Sequence, residues 1–131
     1  MLSRRIFHTV LAVAALGLSL AAHALTVKPY TAADLTAAQN AGAPVALHFY
    51  AGWCPSCQDQ SRVFETLKAD PALAKMTILV VDYDKAQDLR KTMTVRSQST
   101  IVVFKGKTEV ARNGGDTAAA DKIRATLVQG L

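Results

Sequence analysis

Cys54 and Cys57 are the only cysteines in 131 residues, and they stand as Trp53-Cys54-Pro55-Ser56-Cys57. A thiol pair at this spacing can exchange disulfides, hold a metal or staple the chain, and its position along the chain decides among them. Val45 to Tyr50 is a compact apolar run between Gly42/Pro44 and Ala51-Gly52, which reads as a buried strand. The residues after Cys54 carry helical periodicity, so Cys54 falls at a helix N-terminus. Unpaired backbone N–H groups and the helix dipole there favour a thiolate, the form that attacks a disulfide. Cys57, one turn further in, is placed to displace the resulting mixed disulfide. Cys54 is therefore the expected attacking thiol, Cys57 the resolving thiol, and 54–57 the one intramolecular bridge available. A static bridge over so short a loop removes little chain entropy. A structural zinc needs about four ligands, and beyond the first 24 residues the chain adds only His48. Haem attachment needs a histidine after the second cysteine, where Gln58 stands. The competing reading is a binding module, with the two sulfurs holding Cu(I) or bridging two chains around an iron–sulfur cluster.

The elements that position the pair follow from punctuation and period. Thr31-Ala-Ala-Asp34 has capping-box spacing and opens a short helix to Ala41. After the Val45–Tyr50 strand, Cys57, Val63, Phe64 and Leu67 form the apolar side of a helix from Cys54 to about Ala69, with Gln58, Asp59, Arg62 and Glu65 available for its wet side. Asp70-Pro71 ends it. Thr77–Asp82 is a second buried strand, and Ala86–Met93 a short helix that Asp84 can cap. Thr100–Phe104 is a third strand, Lys105-Gly106-Lys107 a tight turn, and Glu109–Arg112 its hairpin partner. A last helix covers about Thr117–Gln129. Apolar strands alternating with helices predict an α/β fold, a central mixed β-sheet flanked by helices on both faces.

The N-terminus reads as an address. Arg4 and Arg5 precede an uncharged stretch from Ile6 to Leu20, and Ala22-His23-Ala24 offers small residues to a signal peptidase. Residues 1–24 are therefore expected to be a signal peptide cut after Ala24, with residues 25–131 one domain working outside the cytoplasm, where disulfides persist. A retained anchor is the alternative, although the apolar core is short of the ~20 residues a span needs. Half the residues are hydrophobic and 19% charged, too apolar for a disordered chain. The formal charge of +5 falls when Arg4 and Arg5 leave, from 15 basic residues to 13 against 10 acidic ones. With no basic run and 6% aromatics, nucleic acid is excluded as the expected partner. No Gly-x-Gly-x-x-Gly follows a strand, so no nicotinamide or flavin cofactor is expected.

Val45 to Cys57 (VALHFYAGWCPSC) resembles the active-site strand and helix start of the thioredoxin superfamily, and Ser99 to Gly106 (STIVVFKG) is similar to the strand after that family's cis-proline loop. The resemblance spans almost all of residues 25–131 and is nearest to exported bacterial thioredoxin-like proteins. It implies a thioredoxin fold and thiol–disulfide exchange with protein substrates, with Trp53, Pro55, Ser56, Gln98, Ser99 and Thr100 contacting the substrate chain. Three positions depart from the family pattern. Its cis-proline is Ser99, and a cis bond before a non-proline residue costs about 3–4 kcal/mol, so Gln98–Ser99 is expected trans. Ser99 also brings a hydroxyl and a backbone N–H, either of which can donate to the Cys54 thiolate or to a bound substrate strand. The family's buried carboxylate is His48, which shares a strand face with Tyr50 and is expected to take a proton from Cys57 during resolution. The intervening Pro-Ser replaces Gly-Pro; the Ser56 N–H and hydroxyl are both expected to reach Cys54 and make the disulfide somewhat more oxidising. The expected protein is a monomeric periplasmic oxidoreductase, a reductase in preference to an oxidant. It would exchange electrons with protein thiols and disulfides and with an integral-membrane electron carrier or, for an oxidant, a membrane oxidase.

Overall fold

The computed structural model describes residues 24–115 and 117–131. The leader expected over residues 1–24 lies outside them except for Ala24. Five strands and four helices follow in chain order: β1 (Thr26–Pro29), α1 (Ala32–Asn40), β2 (Val45–Tyr50), α2 (Pro55–Leu67), β3 (Thr77–Asp82), α3 (Gln87–Thr92), β4 (Ile101–Lys105), β5 (Thr108–Asn113) and α4 (Ala120–Leu127). Single 3₁₀ turns lie at Pro71–Leu73 and Val128–Gly130. No helix among the described residues is long and apolar enough to cross a membrane.

The sheet order is β1-β3-β2-β4-β5. β2 sits at its centre, parallel to β3 and antiparallel to β4, and the β4–β5 hairpin closes one side. Alternation along β2 divides the core. Val45, Leu47 and Phe49 pack with Leu79, Val81, Val102 and Phe104 beneath α1 and α3. Ala46 faces the other way, with Ile78, Ile101 and Val103, against Phe64 and Leu67 of α2 and Ile123 and Leu127 of α4. Both sheet faces are therefore covered, which is why these strands read as unbroken apolar runs. Thr31 caps α1 as its spacing predicts: its Oγ1 accepts from the Asp34 N–H at 3.0 Å and donates to the Asp34 carboxylate at 2.8 Å.

Two expectations change. β1 has no counterpart in the sequence reading. Its four residues TVKP are mostly exposed and end in proline, so they lack an apolar run, and they form a strand only because β3 supplies the parallel partner from Thr77 to Val80. Asp84 does not cap the third helix. The turn after β3 is tied by Asp82, whose Oδ1 accepts from the N–H groups of Asp84 and Lys85, each at 3.1 Å, and α3 starts at Gln87 with no side-chain cap.

Candidate active site

The site stands where β2 ends and α2 begins. Cys54 is the N-cap of α2, extended at φ −98° and ψ 110°, and its Sγ accepts the Cys57 N–H at 3.1 Å. Proline at the first helical position costs nothing, because that N–H has no intrahelical partner in any helix. Both sulfurs are free thiols, buried in a small cluster with Ala51 that Tyr50 and Tyr83 cover.

Ser99 joins them. Its Oγ lies 3.0 Å from Cys54 Sγ and 3.2 Å from Cys57 Sγ. The Gln98–Ser99 bond is trans, as expected, and Ser99 takes φ 64°, the left-handed region that non-glycine residues seldom enter. The backbone explains the conformation. Ser99 N–H donates to the Phe49 carbonyl at 2.9 Å and the Thr100 carbonyl accepts the Phe49 N–H at 2.9 Å, extending the β2–β4 ladder by one step. The Ser99 N–H is thus spent inside the sheet and is not a donor for thiolate or substrate; the hydroxyl alone reaches the sulfurs. Thr100 Oγ1 ties back to the Ser97 carbonyl at 2.7 Å. Ser56 departs from its expectation, since among the described residues its hydroxyl makes no hydrogen bond, and its help to Cys54 comes through its backbone N–H.

Electrostatics separates the two thiols. Burial alone pushes Cys54 up, but donors from Cys57, the Ser99 hydroxyl and the amides of Cys57 and Ser56 outweigh it and hold the thiol below its ordinary value. Cys57 goes the other way, raised by burial first and by its hydrogen bond to Cys54, with Ser99 opposing. Cys54 is therefore the readier of the two to ionise and Cys57 the readier to keep its proton, the division that attack and resolution require.

His48 is fully buried, with its ring edge-on to Phe64 at 4.9 Å and to Tyr50 at 5.8 Å between centroids. Its Nε2 lies 2.9 Å from Gln60 Oε1. Gln60, also fully buried, donates its amide N–H groups to the carbonyls of Ser99 and Thr117, both at 2.9 Å. Two carbonyl partners fix which end of that amide is nitrogen, so Gln60 can only accept from the imidazole and Nε2 must carry the proton. Nδ1 has no partner. Burial, only partly offset by the Gln60 bond, lowers the His48 pKa to about 4, so the ring is neutral at pH 7. No hydrogen bond joins His48 to Cys57 among the described residues. No direct contact carries the proton transfer expected between them in this state; the Cys57 thiol has Ser99 Oγ at 3.2 Å and the Phe49 carbonyl at 3.9 Å.

Gln60 is the residue that sequence reasoning missed. It sits three residues after Cys57 on the inward side of α2, and that spacing was the available signal. Trp53 is 61% exposed beside the cysteines, its indole N–H donating to Asp84 Oδ2 at 2.9 Å. Pro55 is exposed next to it, and Gln98 is half-buried beside Ser99. Among the described residues no group of three His, Cys, Asp or Glu stands close enough to hold a metal ion.

A five-stranded mixed sheet between helix layers, with a free Cys-x-x-Cys capping the helix after its central strand, defines a thiol–disulfide oxidoreductase. The chain matches the thioredoxin domain over residues 27–129 and belongs to the thioredoxin family. It is 31% identical over 86 residues to Thioredoxin-1 of Drosophila yakuba, covering 65% of this chain and 79% of that one. Over 71 residues it is 37% identical to the thioredoxin of Chlamydia trachomatis, covering 54% and 68%. With Thioredoxin 2 of Plasmodium falciparum it shares 33% identity over 79 residues, covering 60% of this chain and half the length of that relative. Among solved structures, Trxlp from Edwardsiella tarda superimposes with a TM-score of 0.73 at 32% identity, over 78% of this chain and 98% of that chain.

Proposed function

We propose that this protein is an exported, periplasmic thioredoxin-family reductase of protein disulfides, supplied with electrons by an integral-membrane dithiol carrier. The observation that carries the chemistry is the Ser99 hydroxyl set between a lowered Cys54 thiol and a raised Cys57 thiol. Cys54 thiolate attacks a substrate disulfide, forming the mixed disulfide and releasing one substrate thiolate. Cys57 then attacks Cys54 Sγ. As the Cys54–Cys57 bond forms, the bond from Cys54 to substrate breaks, and its electron pair leaves on the substrate sulfur. The Cys57 proton passes to Ser99 Oγ, whose own proton moves toward the departing sulfur. Trp53, Pro55 and the Gln98–Thr100 segment flank the cysteines and hold the substrate chain.

The reducing direction rests on a balance. Donors to Cys54 stabilise the thiolate and make the disulfide more oxidising, but burial opposes them at the same sulfur. That opposition supports a potential nearer thioredoxin's, about −270 mV, than a strong oxidant's, about −120 mV. Export rests on the basic start, apolar core and Ala-x-Ala site of residues 1–24. Equilibration of the purified protein against glutathione buffers tests the direction; a potential near −120 mV, that of a strong oxidant, would reverse it. N-terminal sequencing of protein recovered from the periplasm tests the address: a start at Leu25 is expected, and an intact Met1 in the cytoplasm refutes it.

A further inference from the structure

Next to the cysteines, on the far side of Tyr83, lies a surface cavity of about 380 Å³ lined by Tyr83, Gln87, Arg90, Lys91, Thr94 and Arg96. Three cations and no carboxylate line it. Among the described residues none of the three makes an ion pair, although six other basic residues of the chain do. The Arg90 guanidinium lies 3.9 Å from the centre of the Tyr83 ring, and among the described residues its buried Nε–H has no hydrogen-bond partner. A buried donor without an acceptor is a cost the fold carries unless an incoming acceptor removes it.

Thr94 adds a second, independent sign. It follows the end of α3 in a Schellman motif: Val95 N–H returns to the Arg90 carbonyl at 2.8 Å and Thr94 N–H to the Lys91 carbonyl at 3.2 Å. The motif requires a left-handed residue, and Thr94 has φ 55°. Glycine takes that conformation freely, whereas a β-branched residue there is a genuine outlier. The chain accepts the strain, and in return an exposed hydroxyl with no hydrogen bond of its own lines the cavity. Strain of this kind gathers at binding sites, and here it coincides with unpaired cations.

Tyr83 connects the cavity to the chemistry. Its ring packs against Ala51, Cys54 and Cys57, and its hydroxyl donates to the Arg96 carbonyl at 3.2 Å. Arg96 lies three residues before Ser99. A substrate chain joined to Cys54 thus has the cavity as its neighbour across one aromatic ring.

We infer that this cavity docks acidic side chains flanking the disulfide of a protein substrate, so that the reductase favours disulfides in Asp- and Glu-rich segments. The inference rests on the redox reading above. Carboxylates fit the donor set, since the Arg90 guanidinium, the Thr94 hydroxyl, Lys91 and Arg96 all donate, and among the described residues no carboxylate lines the cavity.

The test uses two synthetic peptides with one intrachain disulfide each, identical except that Asp and Glu flank it in one and Asn and Gln in the other. Pre-reduced protein is mixed with each in single-turnover experiments. The acidic peptide is expected to half-saturate at roughly tenfold lower concentration with a similar limiting rate, and the advantage shrinks as salt screens it. In a Lys91→Glu/Arg96→Glu variant the ratio between the peptides falls below about twofold. Thr94→Gly supplies a readout with opposite signs: thermal stability rises as strain is relieved, while the advantage of the acidic peptide falls. Equal half-saturation in the unaltered protein overturns the inference, as does an advantage that survives both variants. Inorganic phosphate that binds in the cavity while the two peptides behave alike also overturns it, in favour of a free-anion site. Failure to reduce the neutral peptide at all strikes instead at the redox reading on which the inference rests.

Discussion

Ser99 combines two roles that substitution can separate. Its backbone is held at φ 64° by the bond to Phe49 and by Gln60 on its carbonyl, and its hydroxyl sits 3.0 and 3.2 Å from the two sulfurs. Ser99→Gly and Ser99→Ala both delete the hydroxyl, but glycine occupies the left-handed region at little cost whereas alanine keeps a strain of about 1 kcal/mol. Ser99→Gly is therefore expected to be about 1 kcal/mol more stable than Ser99→Ala in urea unfolding. Their Cys54 thiols should be alike, both titrating above the unaltered protein. A hydrogen bond to a charged group contributes roughly 1.5–3 kcal/mol, or about one to two pKa units at 1.36 kcal/mol each. At a pH where Cys54 is ionised, the same loss makes the dithiol more reducing by roughly 30–60 mV, since 30 mV corresponds to about 1.4 kcal/mol in a two-electron couple. Thiolate absorbance in a pH titration and glutathione equilibration measure the two quantities. If the Cys54 pKa stays in place in both variants while stability separates them, the hydroxyl is a packing feature and the proton path through it is wrong.

Three further outcomes follow from the buried network and the surface beside it. Gln60→Leu leaves the His48 Nε2–H and the Ser99 and Thr117 carbonyls without partners, at about 1–3 kcal/mol for each group that finds no water. It should therefore unfold at markedly lower denaturant than the unaltered protein, and those variants that stay folded should resolve mixed disulfides more slowly. His48 binds its proton at about pH 4 when folded and near 6.5 when unfolded, so the unfolded chain holds more protons between those values and stability falls as pH drops through that window. The loss approaches about 3 kcal/mol by pH 4, and His48→Asn should flatten that limb of the stability profile in denaturant melts. Asp84→Ala removes the acceptor of the Trp53 indole; stability should change by less than about 0.5 kcal/mol, because the pair is exposed, while the fluorescence of the chain's one tryptophan and the half-saturating substrate concentration both shift.

Residue types and spacing alone determined where the chemistry lies and which layers surround it. A Cys-x-x-Cys between an apolar run and a helical period can hardly sit anywhere but at a strand-to-helix junction, and strands buried on both faces announce themselves as unbroken apolar stretches. Those are local signals, written within a few residues of what they specify. β1 escaped because an exposed four-residue edge strand has no pattern of its own and exists through β3. Gln60 escaped because a glutamine on a helix ordinarily faces water, and only the arrival of Ser99 and Thr117, 39 and 57 residues away, makes it a buried hub. The imidazole of His48 stood at the position of a proton acceptor, yet the partner that fixes its proton on Nε2 lies on another element. From its neighbours in sequence Asp84 is a natural helix cap, yet it is claimed by Trp53, 31 residues earlier. Sequence fixes what a backbone does within a turn or a strand; which polar groups meet in the interior is decided when the sheet brings distant segments together, because a buried donor or acceptor must take whichever partner the packing delivers.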